Sequence, residues 1–338
     1  MKNILVTGGA GFIGSHTAVE LHNAGYEPVL MDNFNNSQPS VLNGIRNIIN
    51  KDVVFYEADC NDSFLFETIF KTHKIEGVIH FAAHKAVGES VREPLKYYRN
   101  NLNSLINLLE SMLEYGINNL VFSSSCTVYG EPDKLPVTED APIKPAESPY
   151  GNTKQISEEI IKDTCTAETH LRAISLRYFN PIGAHPSAEI GELPIGVPGN
   201  LVPFITQTAT GIREKLTVFG NDYSTPDGSC VRDYIHVVDL AKAHVKAFEL
   251  LDKKTSGYYD FFNLGTGTGS TVLEVVNTFE KVTGEKLNYQ IGPRRPGDVE
   301  KVYAAVDKSA KILGWETELN LEKALEDAWR WQLRLKHN

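Results

Sequence analysis

The sequence predicts an α/β protein, with a doubly wound parallel sheet in its first half and a smaller α/β lobe in its second half. Three observations lead to this prediction: a glycine-rich turn at residues 8–14, apolar runs that alternate with helical patterns, and a change of composition after Asn180. Parallel strands that alternate with helices are typical of an open sheet with helices on both faces. Ligands bind such sheets where the carboxyl ends of the strands meet.

The glycine-rich turn stands between a short apolar strand at residues 2–7 and a helical pattern at residues 15–24. Gly8, Gly11 and Gly14 allow a tight turn, and they let backbone N–H groups approach a pyrophosphate at the N-terminus of the helix. This order of strand, turn and helix predicts a Rossmann-type dinucleotide site. The glycine motif alone would fit a plain structural turn equally well.

The next predicted strand, at residues 27–31, ends at Asp32. A carboxylate at this position accepts hydrogen bonds from the adenosine ribose and repels a 2′-phosphate, which predicts NAD rather than NADP. Taken alone, Asp32 would also fit an ordinary turn before Asn33. Apolar runs predict the further parallel strands at residues 53–56, 77–83, 120–123 and 173–176, with a helix at residues 101–115 among them.

Composition and charge argue against several classes of protein. The 338 residues are 41% apolar and 22% charged, which is ordinary for a folded globular protein. The net charge of −10 argues against general nucleic-acid binding, which needs a basic face. No apolar run approaches the roughly 18 residues that span a membrane. The N-terminus leads directly into a strand, so we expect neither a membrane segment nor a signal peptide.

The cysteines and histidines form no recognised metal-binding pattern. The four cysteines are widely spaced and include no CxxC pair, which indicates buried thiols in a reducing cytoplasm. The ten histidines include no HExxH motif, and we therefore expect no metal.

A long loop is predicted at residues 185–200, which are rich in glycine and proline. Loops of this length in compact proteins are often functional. We place the domain boundary near Asn180, with a dinucleotide-binding domain at residues 1–180 and a substrate-binding domain at residues 181–338. Some of the later segments are expected to pack back on the first domain.

A candidate base lies at the start of a predicted helix. Ser148 is a good N-cap and Pro149 a good first helical residue, so Tyr150 and Lys154 lie four residues apart on one helix face. A neighbouring ammonium lowers the pKa of a tyrosine, which would let Tyr150 take a proton from a hydroxyl. Ser125, at the end of a predicted strand, could bridge that hydroxyl and the phenol. Taken alone, a tyrosine four residues before a lysine more often reflects packing of the ring on the aliphatic part of the lysine side chain. The glycine motif in the same chain favours the catalytic interpretation instead.

Two further motifs are ambiguous. Residues 264–270 follow a predicted strand at residues 258–263 and are rich in glycine, but they lack the lysine of a phosphate-binding P-loop. A tight turn between a strand and a helix is therefore the favoured interpretation. Arg232, Arg294 and Arg295 could clamp a diphosphate, although most arginines are solvated surface residues.

Taken together, the motifs resemble those of the extended short-chain dehydrogenase/reductases, and most closely those of the UDP-glucose 4-epimerase family among them. The resemblance covers essentially the whole chain, with the motifs in the same order. The matching stretches are residues 7–17, 85–91, 123–130, 148–151, 176–181, 183–187, 219–223, 231–237 and 294–298.

The resemblance implies a redox-neutral reaction on a UDP-sugar, with NAD bound throughout. Tyr150 would deprotonate the 4-hydroxyl of UDP-glucose or UDP-galactose while hydride leaves C4. The transient 4-keto sugar would rotate, and hydride would return to its opposite face. Lys154 would hold the nicotinamide ribose and lower the pKa of Tyr150, and Ser125 would bridge the hydroxyl and the phenol.

The resemblance also implies which residues surround the two ligands and how the chain assembles. A cytoplasmic homodimer is expected, with a four-helix bundle formed by helices near residues 101–114 and 154–163. The expected NAD contacts are Gly8, Gly11, Phe12, Ile13, Gly14, Asp32, Asn33, Asn36, Ser37, Asp59, Cys60, Phe81, Ala82, Lys85, Asn100, Tyr150 and Lys154. The expected UDP-sugar contacts are Ser125, Phe179, Asn180, Asn200, Leu201, Phe219, Arg232, Arg295, Asp298 and Val302.

The chain departs from the bacterial pattern of this family at three places. Cys126 stands where alanine is usual, and Ala83 and His84 replace a glycine-containing pair beside the nicotinamide. Val302 stands where some members of the family have a tyrosine that walls the sugar pocket. We hypothesise that Val302 leaves room for UDP-N-acetylglucosamine or UDP-N-acetylgalactosamine.

Two alternative functions stay open at this point. One is another NAD-dependent nucleotide-sugar enzyme of the same fold, but a 4,6-dehydratase needs an acidic pair where Cys126 and Thr127 stand. The other is a non-catalytic, NAD-sensing regulator. The joint presence of Ser125, Tyr150 and Lys154 argues against a regulator, which has no need of the three together.

Overall fold

The structure is a computed structural model that describes residues 1–295 and 299–337. Strands and helices alternate along the first half of the chain, as the sequence predicts. The strands are β1 (Asn3–Thr7), β2 (Glu27–Asp32), β3 (Val54–Glu57), β4 (Ile75–His80), β5 (Asn119–Ser123), β6 (Arg172–Tyr178), β7 (Asn180–Ile182), β8 (Leu216–Phe219), β9 (Val231–Arg232), β10 (Tyr234–His236), β11 (Tyr258–Leu264), β12 (Ser270–Thr271), β13 (Tyr289–Gly292) and β14 (Lys301–Val302).

The helices of the described residues cover both faces of the main sheet and fill the second lobe. A short 3₁₀ helix spans Cys126–Tyr129, and a π-helical turn spans Ser309–Leu313. The α-helices are α1 (Phe12–Asn23), α2 (Ser40–Ile49), α3 (Ser63–Thr72), α4 (Val87–Arg92), α5 (Pro94–Glu114), α6 (Pro149–Ala167), α7 (Leu201–Ala209), α8 (Val237–Asp252), α9 (Val272–Thr283) and α10 (Leu321–His337).

The main sheet has seven strands in the order β11-β6-β5-β4-β1-β2-β3 among the residues described, and all of its pairings are parallel. The order of the strands reverses between β1 and β4, which makes this the switch point where doubly wound folds bind ligands. Thr7 ends β1 and His80 ends β4, and the Thr7 Oγ1 and His80 Nδ1 atoms share a hydrogen bond of 2.7 Å. The predicted doubly wound fold is confirmed.

Side chains of β1 alternate between two apolar cores. Ile4 and Val6 lie in the cluster that contains residues of α1 and α8. Leu5 lies in the cluster on the opposite face, which contains residues of α3, α5 and α6. This alternation follows from the period of two residues in a strand. It explains why the strand reads as a continuous apolar run rather than as an alternating one.

The second lobe surrounds a separate apolar cluster formed mainly by α7, α9 and α10. Its small sheets pair β13 with β8 and join β12, β9 and β14. Two segments that follow Asn180 pack with the first half of the chain instead: β11 pairs with β6 in the main sheet, and helix α8 packs against α1. The domain boundary near Asn180 stays a prediction. No helix of the described residues is both long enough and apolar enough to cross a membrane.

Several element boundaries differ from those predicted. Helix α1 begins at Phe12, three residues before the predicted start at residue 15. Its N-cap is Gly11, which forms no side-chain hydrogen bond, so the sequence lacks the usual capping residue that would mark this start. Helix α5 begins at Pro94, which fits the first turn of a helix. Strand β4 ends at His80, and the apolar run that follows packs on the glycine turn, since a Cβ on Gly8 would lie 2.9 Å from Ala82 N.

Three buried histidines should make the fold sensitive to acid. Burial lowers the pKa of His16 and of His80 to about 3, and that of His244 to about 4. A histidine in the unfolded chain protonates near pH 6.5. Between these values the unfolded chain binds more protons, so each histidine lowers the free energy of unfolding by up to about 1.4 kcal/mol per pH unit as the pH falls below about 6.5.

We therefore expect the urea midpoint of unfolding to fall between about pH 7 and about pH 5. The His16→Asn variant should show a shallower dependence of this midpoint on pH. The matched control is His170→Asn, because His170 is exposed, and it should keep the dependence of the unsubstituted protein. An unfolding midpoint that stays constant over this pH range would contradict the prediction.

Candidate active site

The start of α6 presents Tyr150 and Lys154 to the ends of the central strands. Ser148 is the N-cap, and its Oγ accepts a hydrogen bond of 3.1 Å from Gly151 N. Pro149 occupies the first helical position, where its missing N–H leaves no partner unsatisfied. The helix predicted at this point is confirmed, and the four-residue spacing places Tyr150 and Lys154 on one face.

The Ser125 hydroxyl lies beside the Tyr150 side chain and acts to lower the pKa of the phenol. Ser125 is the N-cap of the 3₁₀ helix that follows β5, and its Oγ also accepts a hydrogen bond of 3.2 Å from Thr127 N. Burial raises the pKa of Tyr150 to about 12, and this effect outweighs that of the Ser125 hydroxyl, which lowers it. The phenol therefore needs a further positive charge before it can act as a base at neutral pH.

Lys154 is buried against the end of β5. Its Nζ donates a hydrogen bond of 2.6 Å to Ser123 O and lies 4.7 Å from the centre of the Phe122 ring. The same Nζ lies 6.0 Å from the centre of the Tyr150 ring. Burial lowers the pKa of Lys154 to about 7, and the Glu158 carboxylate acts in the opposite direction.

The glycine turn leaves no room for larger residues. A Cβ on Gly14 would lie 2.2 Å from Gly8 O, and Gly8 itself adopts a left-handed φ of 69°. Because Gly11 caps α1 without a side-chain hydrogen bond, the positive end of this helix stays accessible to an anion. These features fit a cradle for a dinucleotide pyrophosphate.

Asp32 lies beside this turn, as the sequence predicts for a residue that binds a ribose. Its carboxylate accepts hydrogen bonds from Ala10 N at 3.1 Å, Phe34 N at 2.9 Å and Ser37 Oγ at 2.8 Å. The bond to Ala10 joins the end of β2 to the glycine turn. Asp32 and Ser37, two predicted cofactor residues, are therefore in direct contact.

A second group of predicted cofactor residues lies around Asp59. Asn33 Nδ2 donates a hydrogen bond of 3.0 Å to its carboxylate. Asn61 Nδ2 donates hydrogen bonds to Asp59 Oδ1 at 2.9 Å and to Asn100 Oδ1 at 3.0 Å. Burial raises the pKa of Asp59, but the bonds from Asn61 and Asn33 outweigh it, so the net shift is downward. Cys60, the next residue, is a buried free thiol whose pKa is raised by burial.

Lys85 and Asn200 meet through Glu192. The Lys85 Nζ lies 3.9 Å from Glu192 Oε1, and Asn200 Nδ2 donates a hydrogen bond of 2.6 Å to the same oxygen. Burial raises the pKa of Glu192. The long loop at residues 185–200 thus brings a predicted cofactor residue close to a predicted substrate residue. Glu192 could not be predicted from the sequence, because a single acidic residue in a loop forms no recognisable motif.

The predicted sugar side of the site is lined by Phe179, Cys126 and Val302, which share one apolar cluster. Val302 pairs with Arg232 in the sheet of β14 and β9. Asn180 N donates a hydrogen bond of 2.9 Å to Asp233 O, next to Arg232 in sequence. The fold therefore brings four of the predicted substrate residues together from distant parts of the chain.

The remaining predicted substrate residues lie around this cluster at the edge of the second lobe. Leu201 begins α7, directly after Asn200. The guanidinium of Arg295 lies 6.0 Å from the centre of the exposed Phe219 ring. Arg294 instead pairs with Asp222, with 2.7 Å between Nε and Oδ1. Asp298 lies outside the described residues.

The glycine-rich segment at residues 264–270 is a structural turn, as the sequence favoured. Thr266 N and Thr266 Oγ1 each donate a hydrogen bond of 2.8 Å to Asp233 Oδ1, and Ala304 N donates to Asp233 Oδ2 at 3.1 Å. A Cβ on Gly265 would lie 2.3 Å from Asp233 Oδ2. The glycine therefore lets a buried carboxylate hold together the strands that carry Arg232 and Val302.

A sequence model of the GDP-mannose 4,6 dehydratase family matches residues 5–328. The chain is 54% identical to the UDP-glucose 4-epimerase of Bacillus subtilis (strain 168) over 329 residues, which cover 97% of this chain and 96% of that protein. The chain belongs to the UDP-glucose 4-epimerase family of extended short-chain dehydrogenase/reductases. The resemblance seen in the motifs is thereby confirmed.

Solved structures of this epimerase family share the whole fold. The epimerase from Stenotrophomonas maltophila, with bound NAD and formylated UDP-arabinopyranose, has a TM-score of 0.97 and 44% identity, and the match covers 100% of this chain and 99% of that one. The epimerase from Bifidobacterium longum, in complex with NAD⁺ and UDP, has a TM-score of 0.94 and 45% identity, with 98% of each chain covered.

The 4,6-dehydratase alternative finds no support at the site of this epimerase-family chain. The family model that matches takes its description from a dehydratase, but Cys126 and Thr127 follow Ser125 where a dehydratase would need an acidic pair. Burial raises the pKa of the Cys126 thiol to about 12, so this side chain is a neutral occupant of the site.

Proposed function

We propose that the protein interconverts UDP-glucose and UDP-galactose by epimerisation at C4, with NAD held tightly throughout the cycle. The observation that carries this proposal is the position of Tyr150 beside Ser125, with the Lys154 ammonium held at Ser123 O, at the carboxyl end of β5. Membership of the UDP-glucose 4-epimerase family over nearly the whole chain supports the same reaction.

The three side chains take distinct roles in this proposal. Tyr150 accepts the proton of the sugar 4-hydroxyl, and Ser125 relays or orients that proton through its own hydroxyl. Lys154 holds the nicotinamide ribose and keeps a positive charge near the phenol. When bound, NAD supplies a hydride acceptor for C4 and, in its oxidised form, a further positive charge that favours the Tyr150 phenolate.

The cofactor and the sugar nucleotide are proposed to lie on the two sides of Tyr150. The glycine turn, Asp32 and the group around Asp59 fit the pyrophosphate and the adenosine. Arg232 and Arg295 would bind the diphosphate as charge-assisted donors, while Phe179 and Val302 would border the sugar. Asp298 belongs to the same proposed set by its place in the sequence motif.

The test of this function is to incubate the purified protein with UDP-galactose, without added NAD, and to measure UDP-glucose. Product formed under these conditions would support both epimerisation and a cofactor that survives purification. Absence of product even after NAD is added would favour a different nucleotide-sugar substrate or a regulatory role. The regulator has no support from the comparisons, since the relatives described above are epimerases.

We also propose a cytoplasmic homodimer in which α5 and α6 of two copies form a four-helix bundle. Helix α5 leaves Leu95, Ile106 and Leu113 exposed, which gives it apolar surface to bury. Sedimentation at several concentrations would test this assembly, and Ile106→Glu should shift the protein toward the monomer.

Val302 is proposed to widen the sugar pocket enough for N-acetylated UDP-sugars. It is partly buried against the cluster that contains Phe179, and tyrosine at this position would fill the adjoining space. We expect Val302→Tyr to lower the ratio of kcat/KM for UDP-N-acetylgalactosamine to that for UDP-galactose by about tenfold or more. Val302→Leu is the control for added bulk. A protein that turns over UDP-galactose but never UDP-N-acetylgalactosamine would refute the hypothesis.

A further inference from the structure

A buried ion pair lies beneath Tyr150 and Lys154 and has no role in the proton transfer described above. Glu158 stands one helical turn after Lys154 on α6, and Arg177 lies on β6. Arg177 Nε donates a hydrogen bond of 2.9 Å to Glu158 Oε1. The Arg177 side chain is only 4% exposed and the Glu158 side chain only 9% exposed. A buried ion pair is rarely more stabilising than apolar residues of the same volume, which suggests a role beyond stability.

The hydrogen bonds of this pair reach both ends of the segment that carries Ser125. Ser124 Oγ donates to Glu158 Oε1 at 2.5 Å. At the other end, Arg177 Nη1 donates to the hydroxyl of Tyr129 at 3.0 Å. Tyr129 is the last residue of the 3₁₀ helix that Ser125 caps. The ion pair therefore ties this segment to α6, the helix that carries Tyr150.

Aromatic and polar contacts fix the arginine itself. Its guanidinium carbon lies 3.8 Å from the centre of the Phe261 ring and 4.9 Å from that of Tyr129. The Tyr129 hydroxyl in turn donates a hydrogen bond of 2.7 Å to Asn263 Oδ1. A planar guanidinium held in this way has little freedom to move, so it is suited to fixing the groups that bond it.

We propose that Glu158 and Arg177 are positioning residues of the active site, which hold the Ser125 hydroxyl against the Tyr150 hydroxyl and keep a negative charge behind Lys154. The inference rests on the proposed epimerase function. It goes further, because it assigns a role in catalysis to two side chains that touch neither the sugar nor the cofactor in that proposal.

The negative charge of Glu158 should affect the Tyr150 phenol through its effect on the pKa of Lys154. Glu158 raises the pKa of Lys154, against burial. The other groups near this ammonium are Tyr150 on the same helix, His80 from β4, whose pKa is lowered by burial and by Lys154, and the Ser123 carbonyl on β5. Without the carboxylate, Lys154 loses its proton more easily, and the Tyr150 phenolate then forms only at higher pH.

The test compares Glu158→Gln with the double variant Glu158→Gln/Arg177→Gln, which removes the charge without leaving the arginine unpaired. We expect both variants to lower kcat for UDP-galactose by about 10- to 100-fold, with KM changed by less than about threefold. The acid limb of the pH dependence of kcat should move to higher pH in both. Bound NAD per subunit should stay unchanged. Glu168→Gln is the control, since Glu168 is exposed at the end of the same helix.

A second readout is independent of turnover. The phenolate absorbance of Tyr150, taken as the difference between each protein and its Tyr150→Phe form, should titrate at higher pH when Glu158 is replaced. If the double variant keeps both kcat and this titration unchanged, the positioning role is wrong. If the unsubstituted protein does not epimerise UDP-galactose, the proposed function fails, and the phenolate titration alone decides whether Glu158 acts on Tyr150. If Glu158→Gln does not fold, the double variant gives the answer.

Discussion

Tyr150→Phe should lower kcat for UDP-galactose by about 10²- to 10⁴-fold, which is the usual contribution of a general base. The substitution removes the hydroxyl that lies beside Ser125 and leaves the aromatic ring in its place. Because the ring still packs at the start of α6, the fold and the retained NAD should be unaffected. Steady-state kinetics, together with the NAD content of the purified variant, measure both expectations.

Tyr259→Phe is the matched control for the loss of one tyrosine hydroxyl from a partly buried side chain. Tyr259 lies on β11 and its hydroxyl bonds Ser175 Oγ at 3.2 Å, near the amino end of its strand and therefore away from the ligand edge of the sheet. This variant should keep the kcat of the unsubstituted protein. A Tyr150→Phe enzyme with kcat within about tenfold of that value would argue against Tyr150 as the base.

Gly14→Ala should abolish the retention of NAD during purification and lower the affinity for added NAD by at least about tenfold, or about 1.4 kcal/mol. The added Cβ would meet Gly8 O at 2.2 Å, and the neighbouring atoms are also backbone, so no flexible side chain can give way. The turn must open, and the N–H groups that approach a pyrophosphate then move with it. Absorbance of the protein-bound nucleotide and a titration with NAD measure this loss.

Gly88→Ala serves as the control for the glycine substitution. Gly88 lies in α4, and a Cβ there would meet only Arg92 Nη1, at 3.8 Å, which is ordinary contact. This variant should purify with the NAD content of the unsubstituted protein. If Gly14→Ala also retains its NAD through purification, the glycine turn is not the pyrophosphate cradle.

The parts of the molecule that could be predicted from the sequence are those with a local cause. The glycine spacing, the strand before it and the helix after it lie within residues 2–24, and the sheet follows from the repetition of such units. The helix start at Ser148 follows from the capping preference of serine and the fixed φ of proline. The family resemblance rests on the same short motifs, and the comparisons confirmed it.

The pKa values at the site could not be predicted in the same way. The neighbouring Lys154 is expected to lower the pKa of Tyr150, but burial raises it to about 12. Burial depends on every element packed around the side chain, and no local pattern in the sequence reports it. The same holds for Lys154, whose pKa falls to about 7 in its buried position.

Contacts between residues far apart in the chain came only from the folded molecule. Three contacts join different elements of the fold: the approach of Ser125 to Tyr150, the bridge of Glu192 between Lys85 and Asn200, and the pair of Glu158 with Arg177. The amino-acid order specified the chemistry of these groups, the local elements that carry them and the family of the chain. Which of them meet, and in what electrostatic surroundings, depended on how those elements pack, since such contacts are set by the three-dimensional arrangement and not by spacing along the chain.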